Sequence, residues 1–123
     1  MLKILAVMTG GSIGAACRYL LFLATRSLAG ASFPTGTLAA NLLGSFLIGL
    51  LWSFFEGSRL TNEWRLFIFT GFLGGFTTFS TFGYETLALA RDGDHLRAGA
   101  NVLLTVVLCL VAVWLGHGFG GTR

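Results

Sequence analysis

The sequence predicts an all-α integral membrane protein of four transmembrane helices, the third of them broken, and three observations carry that reading. The 123 residues are 54% hydrophobic and 11% charged, with 18 glycines and one proline. Soluble domains carry roughly 25% charge, so this chain lacks the polar residues to cover a water-facing globule. Four apolar stretches are each long enough to cross hydrocarbon, which takes about 20 residues. In the third, a cluster of glycine, serine and threonine interrupts the apolar run.

The spans are expected at Ile4–Leu23, Thr37–Phe55, Leu66–Leu89 and Ala98–Gly116, joined by short connections at Arg26–Pro34, Glu56–Arg65 and Arg91–Arg97. Residues 1–123 therefore read as one transmembrane domain, with no room for a soluble one. Lys3 followed by Ile4–Met8 resembles the start of a signal peptide, but the apolar run continues past any plausible cleavage site. Gly14-Ala15-Ala16-Cys17 loosely resembles a lipoprotein cleavage box, but lacks its leucine and is followed by Arg18. The first helix is expected to stay.

Several function classes drop out at this level. Cys17 and Cys109 stand far apart and belong to no metal-spaced pair. The net charge of +3 is spread over connections and implies no nucleic-acid partner. No phosphate-binding loop or nucleotide motif is present, so any chemistry belongs inside the helix bundle.

Charge placement bears on orientation, which normally follows an excess of Lys/Arg in cytoplasmic loops. Lys3, Arg59, Arg65 and Arg123 fall on one side, and Arg26, Arg91 and Arg97 on the other, towards which Arg18 also faces. This near balance predicts dual topology and pairing with an inverted copy; a single topology with a weak signal is the alternative.

Polar side chains within the spans are the candidate functional groups, because hydrocarbon tolerates them poorly. Thr37, Asn41 and Ser45 recur every four residues and share a face of the second helix, as Asn101, Thr105 and Cys109 do on the fourth. Such stripes serve helix packing as readily as ion passage. Asn41 is the exception, since a primary amide in mid-membrane needs several partners. Pairs of small residues four apart (Gly10 with Gly14, Ala40 with Gly44, Ser45 with Gly49, Gly71 with Gly75) predict close helix contacts and oligomerisation.

The third helix carries Thr70-Gly71-Phe72-Leu73-Gly74-Gly75-Phe76-Thr77-Thr78-Phe79-Ser80-Thr81-Phe82-Gly83-Tyr84-Glu85. Glycine and β-branched residues disfavour helix, which predicts a break near Gly74–Thr81. A break frees backbone groups that lipid cannot satisfy, and discontinuous membrane helices mark ion and substrate sites. Phe76, Phe79 and Phe82 are spaced three apart, as a stripe of rings along one face would be. Ring edges are weakly positive. With the Ser80 and Thr81 hydroxyls and the Asn41 amide they compose an uncharged, donor-rich lining suited to a small dehydrated anion. Arg18 either snorkels or faces a water-filled vestibule that draws anions inward. Glu85 either binds a proton or cation, or serves structurally by pairing with Arg18 or capping a helix.

Three segments carry a resemblance that spans nearly the whole chain: Gly14–Arg18, Gly36–Gly44 and Thr70–Phe82. The last is long and idiosyncratic. The chain resembles the Fluc (CrcB-type) fluoride channels. The resemblance implies a passive, fluoride-selective channel in the bacterial inner membrane, not an enzyme, built as an antiparallel homodimer with two fluoride pathways. It implies that Phe79 and Phe82 offer ring edges to fluoride and that Asn41 and Ser80 donate hydrogen bonds, with Thr37 and Thr81 as further parts of the polar track. Arg18 matches the family's vestibule arginine, and Glu85 its glutamate after the phenylalanine pair. Backbone carbonyls at Gly74 and Thr77 would hold a central sodium ion that is structural and not transported. Gly83-Tyr84 and Asn101 depart from the family's usual pattern.

The implied physiology is export without an energy source. Fluoride enters acidified surroundings as its neutral acid, loses its proton in the cytoplasm, and leaves as an anion down the negative-inside potential. A small proton-coupled multidrug exporter shares the size and topology, but its essential glutamate lies in the first helix, where this chain has Arg18. A non-transporting assembly subunit would explain the packing motifs but not the interrupted third helix.

Overall fold

The computed structural model describes residues 1–29 and 32–121. Arg123, counted above in the charge balance, lies outside them, as do residues 30 and 31 of the first connection. The described chain forms α1 (Leu2–Ala29), α2 (Thr35–Phe54), α3 (Asn62–Arg65), a π-helical segment (Leu66–Leu73), α4 (Gly74–Phe76), α5 (Phe79–Arg91) and α6 (His95–Gly120). Four stretches of this are long and apolar enough to cross a membrane: Leu2–Arg26, Thr35–Phe54, Asn62–Arg91 and His95–Gly120.

The helices overrun nearly every predicted boundary. Arg26 and Asn62–Arg65, assigned above to connections, are helical, as is His95. Hydropathy marks only the part of a helix that fits hydrocarbon. The backbone hydrogen-bond ladder continues into the interfacial zone, where charged side chains are stable.

Glycine sets how closely the helices pack. α1 lies against the π-helical segment and α4, and α2 against α6. A β-carbon on Gly10 would stand 2.9 Å from the Phe72 amide nitrogen and 3.2 Å from the Gly71 Cα. One on Gly75 would meet the Gly11 Cα at 3.1 Å. On the other side of the bundle, Gly49 faces the backbone of Val113 and His117, and Gly116 that of Phe46 and Leu50. Gly44 abuts the Thr77 side chain and the Phe76 ring. The small-residue stripes that suggested oligomerisation are thus largely occupied by contacts within one chain.

The α5–α6 turn is specified locally. Asp94 N–H donates to the Leu89 carbonyl (2.9 Å) and Gly93 N–H to the Ala90 carbonyl (3.2 Å), with Gly93 at φ +81°. This is the Schellman pattern, which calls for glycine at the left-handed position. Asp94 then caps α6 by accepting from the Arg97 amide at 3.1 Å, and its carboxylate also meets the Arg97 guanidinium.

Buried apolar residues are few: Ala40, Leu73, Phe76, Phe82, Ala98 and Ala112. Leu20, Leu103, Leu110 and Trp114 point outward. A water-soluble domain does not leave so continuous an apolar surface uncovered, whereas lipid accepts it.

Candidate functional site

The third spanning stretch is helical up to Phe76, extended at Thr77 (φ −84°, ψ 158°) and Thr78 (φ −152°, ψ 113°), and helical again from Phe79. Two extended residues inside a spanning segment pose an accounting problem, because each buried backbone group needs a partner. In an uninterrupted helix the Thr78 amide would bond the Gly74 carbonyl, and the Thr81 amide the Thr77 carbonyl. Here the Thr78 N–H donates instead to Asn41 Oδ1 (2.7 Å), while Asn41 Nδ2 donates back to the Thr78 carbonyl (3.0 Å). One side chain of α2 thereby satisfies both backbone groups of the residue that the helix has let go. Each, left unpaired and buried, would cost about 1–3 kcal/mol.

Thr78 is also the N-cap of α5. Its Oγ1 accepts from the Thr81 amide (3.2 Å), lies 3.3 Å from Ser80 Oγ and donates to Thr81 Oγ1 (3.0 Å). A threonine hydroxyl has one proton, so with that proton on Thr81, Thr81's own remains to be given elsewhere. Asn41 likewise has a second N–H beyond the one held by Thr78. The Gly74 and Thr77 carbonyls, meanwhile, are released from the helical ladder.

The Phe79 and Phe82 rings stand 5.2 Å apart at 53°, but in different settings: Phe79 is 80% exposed and Phe82 6%. The expected stripe does not extend to Phe76, which is buried and stacked parallel to Phe72 at 6.0 Å. The extended residues between Phe76 and Phe79 change the rotation, so spacing by three no longer puts them on one face.

One turn further on, Thr37 Oγ1 donates to Glu85 Oε1 at 2.9 Å, joining the start of α2 to α5. Glu85 Oε2 is inaccessible to solvent and has no partner among the described residues. The suggested Arg18–Glu85 pair is absent there. Arg18 Nη1 instead lies 3.5 Å from the Thr77 carbonyl, across from α1.

Two cavities flank these residues, each of about 470 Å³. One is an open groove bordered by Asn41, Gly74, Thr77, Phe79, Phe82 and Cys109. The other has Thr37 and Glu85 in its wall with Arg26 and Asp92, so the arginine it meets is Arg26 and not Arg18. The structure thus brings together Asn41, Ser80, Thr81, Phe79 and Phe82 around Thr78, and sets Thr37 with Glu85 between that cluster and the second cavity. Sequence reasoning did not single out Thr78. The available signal was its place as a threonine directly before a helix start, three residues ahead of Thr81.

Comparison with known proteins identifies the family. The model of the family described as CrcB-like protein, Camphor Resistance (CrcB), matches residues 5–117. A protein of Geobacter sulfurreducens named fluoride-specific ion channel FluC is 50% identical over 117 residues, covering 94% of each chain. Proteins of the same name from Shewanella oneidensis and Shewanella amazonensis are 47% and 45% identical over 115 residues, covering 94% of this chain and 93% of theirs. With its interrupted third span held by Asn41 and a family match over nearly all its length, this chain belongs to the CrcB family.

Proposed function

We propose that this protein is a passive, fluoride-selective channel of the bacterial inner membrane that lets cytoplasmic fluoride escape. The observation that carries the reading is the uncharged polar line at the interruption: the Asn41 amide and the Thr81 hydroxyl each keep a proton to give, Ser80 can turn its own from Thr78 to a passing ion, and the Phe79 and Phe82 rings stand beside them. A small anion leaving water loses strong hydration, which costs far more than one protein contact returns. Several hydroxyl and amide donors replace that shell in steps, and the positive ring edges add to it. The side chains of Asn41, Ser80, Thr81, Phe79 and Phe82 carry no charge, so they hold the ion weakly enough for it to move on. Membrane potential supplies the drive, about 2.3 kcal/mol per charge for each 100 mV. No bond is made or broken, and the protein is not an enzyme.

A lone chain leaves the groove at Gly74, Thr77 and Phe79 open at mid-span, where lipid cannot satisfy released carbonyls. We read the partner that covers it as an inverted copy, forming an antiparallel homodimer with two pathways. The family's central sodium ion suits this groove. The released Gly74 and Thr77 carbonyls are neutral, hard oxygen donors, the chemistry a hard monovalent cation prefers. Two carbonyls from each copy would make four. The ion would supply fixed positive charge that ties the copies together, and is not transported. Thr37 and Glu85 continue the polar track to the second cavity, where Arg26 shares the wall with Glu85 and Asp92; Arg18, beside the Thr77 carbonyl, supports the interruption from α1.

Liposomes loaded with potassium fluoride test the reading. Fluoride should leave once a potassium ionophore relieves the charge, with no proton gradient. Gradient-driven loss of an organic cation without fluoride release would replace the channel by an exporter.

A further inference from the structure

The most enclosed polar side chain among the described residues is none of those assigned to the pathway above. Asn101, in the first third of α6, is 1% exposed. It closes a chain of hydrogen bonds leading to the Phe82 backbone. Thr86 Oγ1 donates to the Phe82 carbonyl at 2.8 Å. That commits the hydroxyl's only proton, so Thr86 meets Asn101 as an acceptor, and Asn101 Nδ2 donates to it at 2.9 Å. Thr105 Oγ1 donates in turn to Asn101 Oδ1 over a longer 3.5 Å. Every bond in the sequence Thr105, Asn101, Thr86, Phe82 runs in one direction, which fixes the Asn101 amide orientation by chemistry.

A threonine hydroxyl bonded back to the carbonyl four residues earlier bends its helix slightly, and the bend depends on that bond persisting. On a lone helix an exposed hydroxyl exchanges this bond with water. Here Thr86 is half-buried, and the fully buried Asn101 amide pins the oxygen from the side. The carbonyl so held belongs to Phe82, the buried member of the ring pair.

We propose that Asn101 is a positioning residue for Phe82, acting through the Thr86 hydroxyl: α6 sets the angle at which the buried ring meets the pathway. The inference rests on the channel reading, but its structural half can be tested without ion flux. 4-Fluorophenylalanine placed at 82 reports ring setting through its fluorine resonance in chloride buffer. Thr86→Val keeps shape and loses the hydroxyl; Asn101→Leu loses the amide at similar size; Thr86→Ser retains the hydroxyl. The resonance should move in the first two and stay in the third. Fluoride efflux should fall roughly fivefold in each of the first two, the factor that one ordinary hydrogen bond represents, and no further in the double variant. A resonance unmoved in both single variants, losses that multiply in the double variant, or Thr86→Ser behaving as Thr86→Val would each overturn the proposal. If Asn101→Leu does not fold, the Thr86 pair alone decides. Absence of fluoride efflux from wild type would count against the channel reading, leaving the resonance to judge the anchor.

Discussion

Asn41 and Thr78 illustrate how much one residue can settle. The amide of Asn41 serves as both acceptor and donor to a single backbone unit, using two separate atoms, whereas an ionised carboxylate only accepts and a hydroxyl has one oxygen for both bonds. Asn41→Leu leaves the Thr78 N–H and carbonyl buried without partners, and should lower stability by about 2–5 kcal/mol, read as an earlier midpoint in detergent–denaturant unfolding. Asn41→Asp keeps the acceptor and should fall between Leu and wild type. Equal stability of all three would contradict the role assigned to this residue. The importance of Asn41 was legible in the sequence because a primary amide in hydrocarbon demands partners. Which partners was not legible: Thr78 is one of four hydroxyl residues within five positions, and only the fold selects it. The contact of Arg18 with the Thr77 carbonyl was not legible for the same reason, since it depends on how α1 crosses the interruption.

The elements divide along a similar line. Four spans were legible because apolar length alone specifies them, and the crowding of glycine and β-branched residues around Thr77–Thr78 is visible in the sequence. The π-helical segment was not. Leu66–Leu73 is apolar on every side apart from Thr70 and Gly71, so no periodicity separates 3.6 residues per turn from a wider helix. Its neighbours do specify close contact with α1. Gly14→Ala would drive a methyl into the backbone of Phe72 and Phe76 and should destabilise by about 1–3 kcal/mol. Gly99→Ala, with nothing within 4 Å, should be neutral or mildly stabilising, as alanine suits a helix better. Thermal unfolding of the two purified variants checks the contrast; a reversed order would show that the α1 contact is misplaced. Thr78→Val should remove the cap on α5 at about 1 kcal/mol, and lower fluoride efflux with it, as measured by a fluoride electrode.

At the scale of the whole molecule, the balance of basic residues and the uncovered groove point the same way. Neither end of the bundle holds a clear excess of Lys/Arg, so insertion in both orientations is expected. In the proposed reading a second chain covers the groove beside Thr77. Adding lysines to one end should yield orientation variants that protect cells from fluoride only when co-expressed with variants biased the other way. Full protection from either alone would remove the inverted pair from the account.

The central claim is that a dehydrated fluoride ion passes the buried ring of the interrupted span. Fluoride and chloride efflux from liposomes, measured side by side for wild type and Phe82→Ile, tests it most directly. The account predicts rapid fluoride release with chloride retained for wild type, and fluoride release reduced at least tenfold, about 1.4 kcal/mol in barrier height, in the variant. Fluoride release undiminished in Phe82→Ile, from protein that still purifies as a dimer, would contradict it.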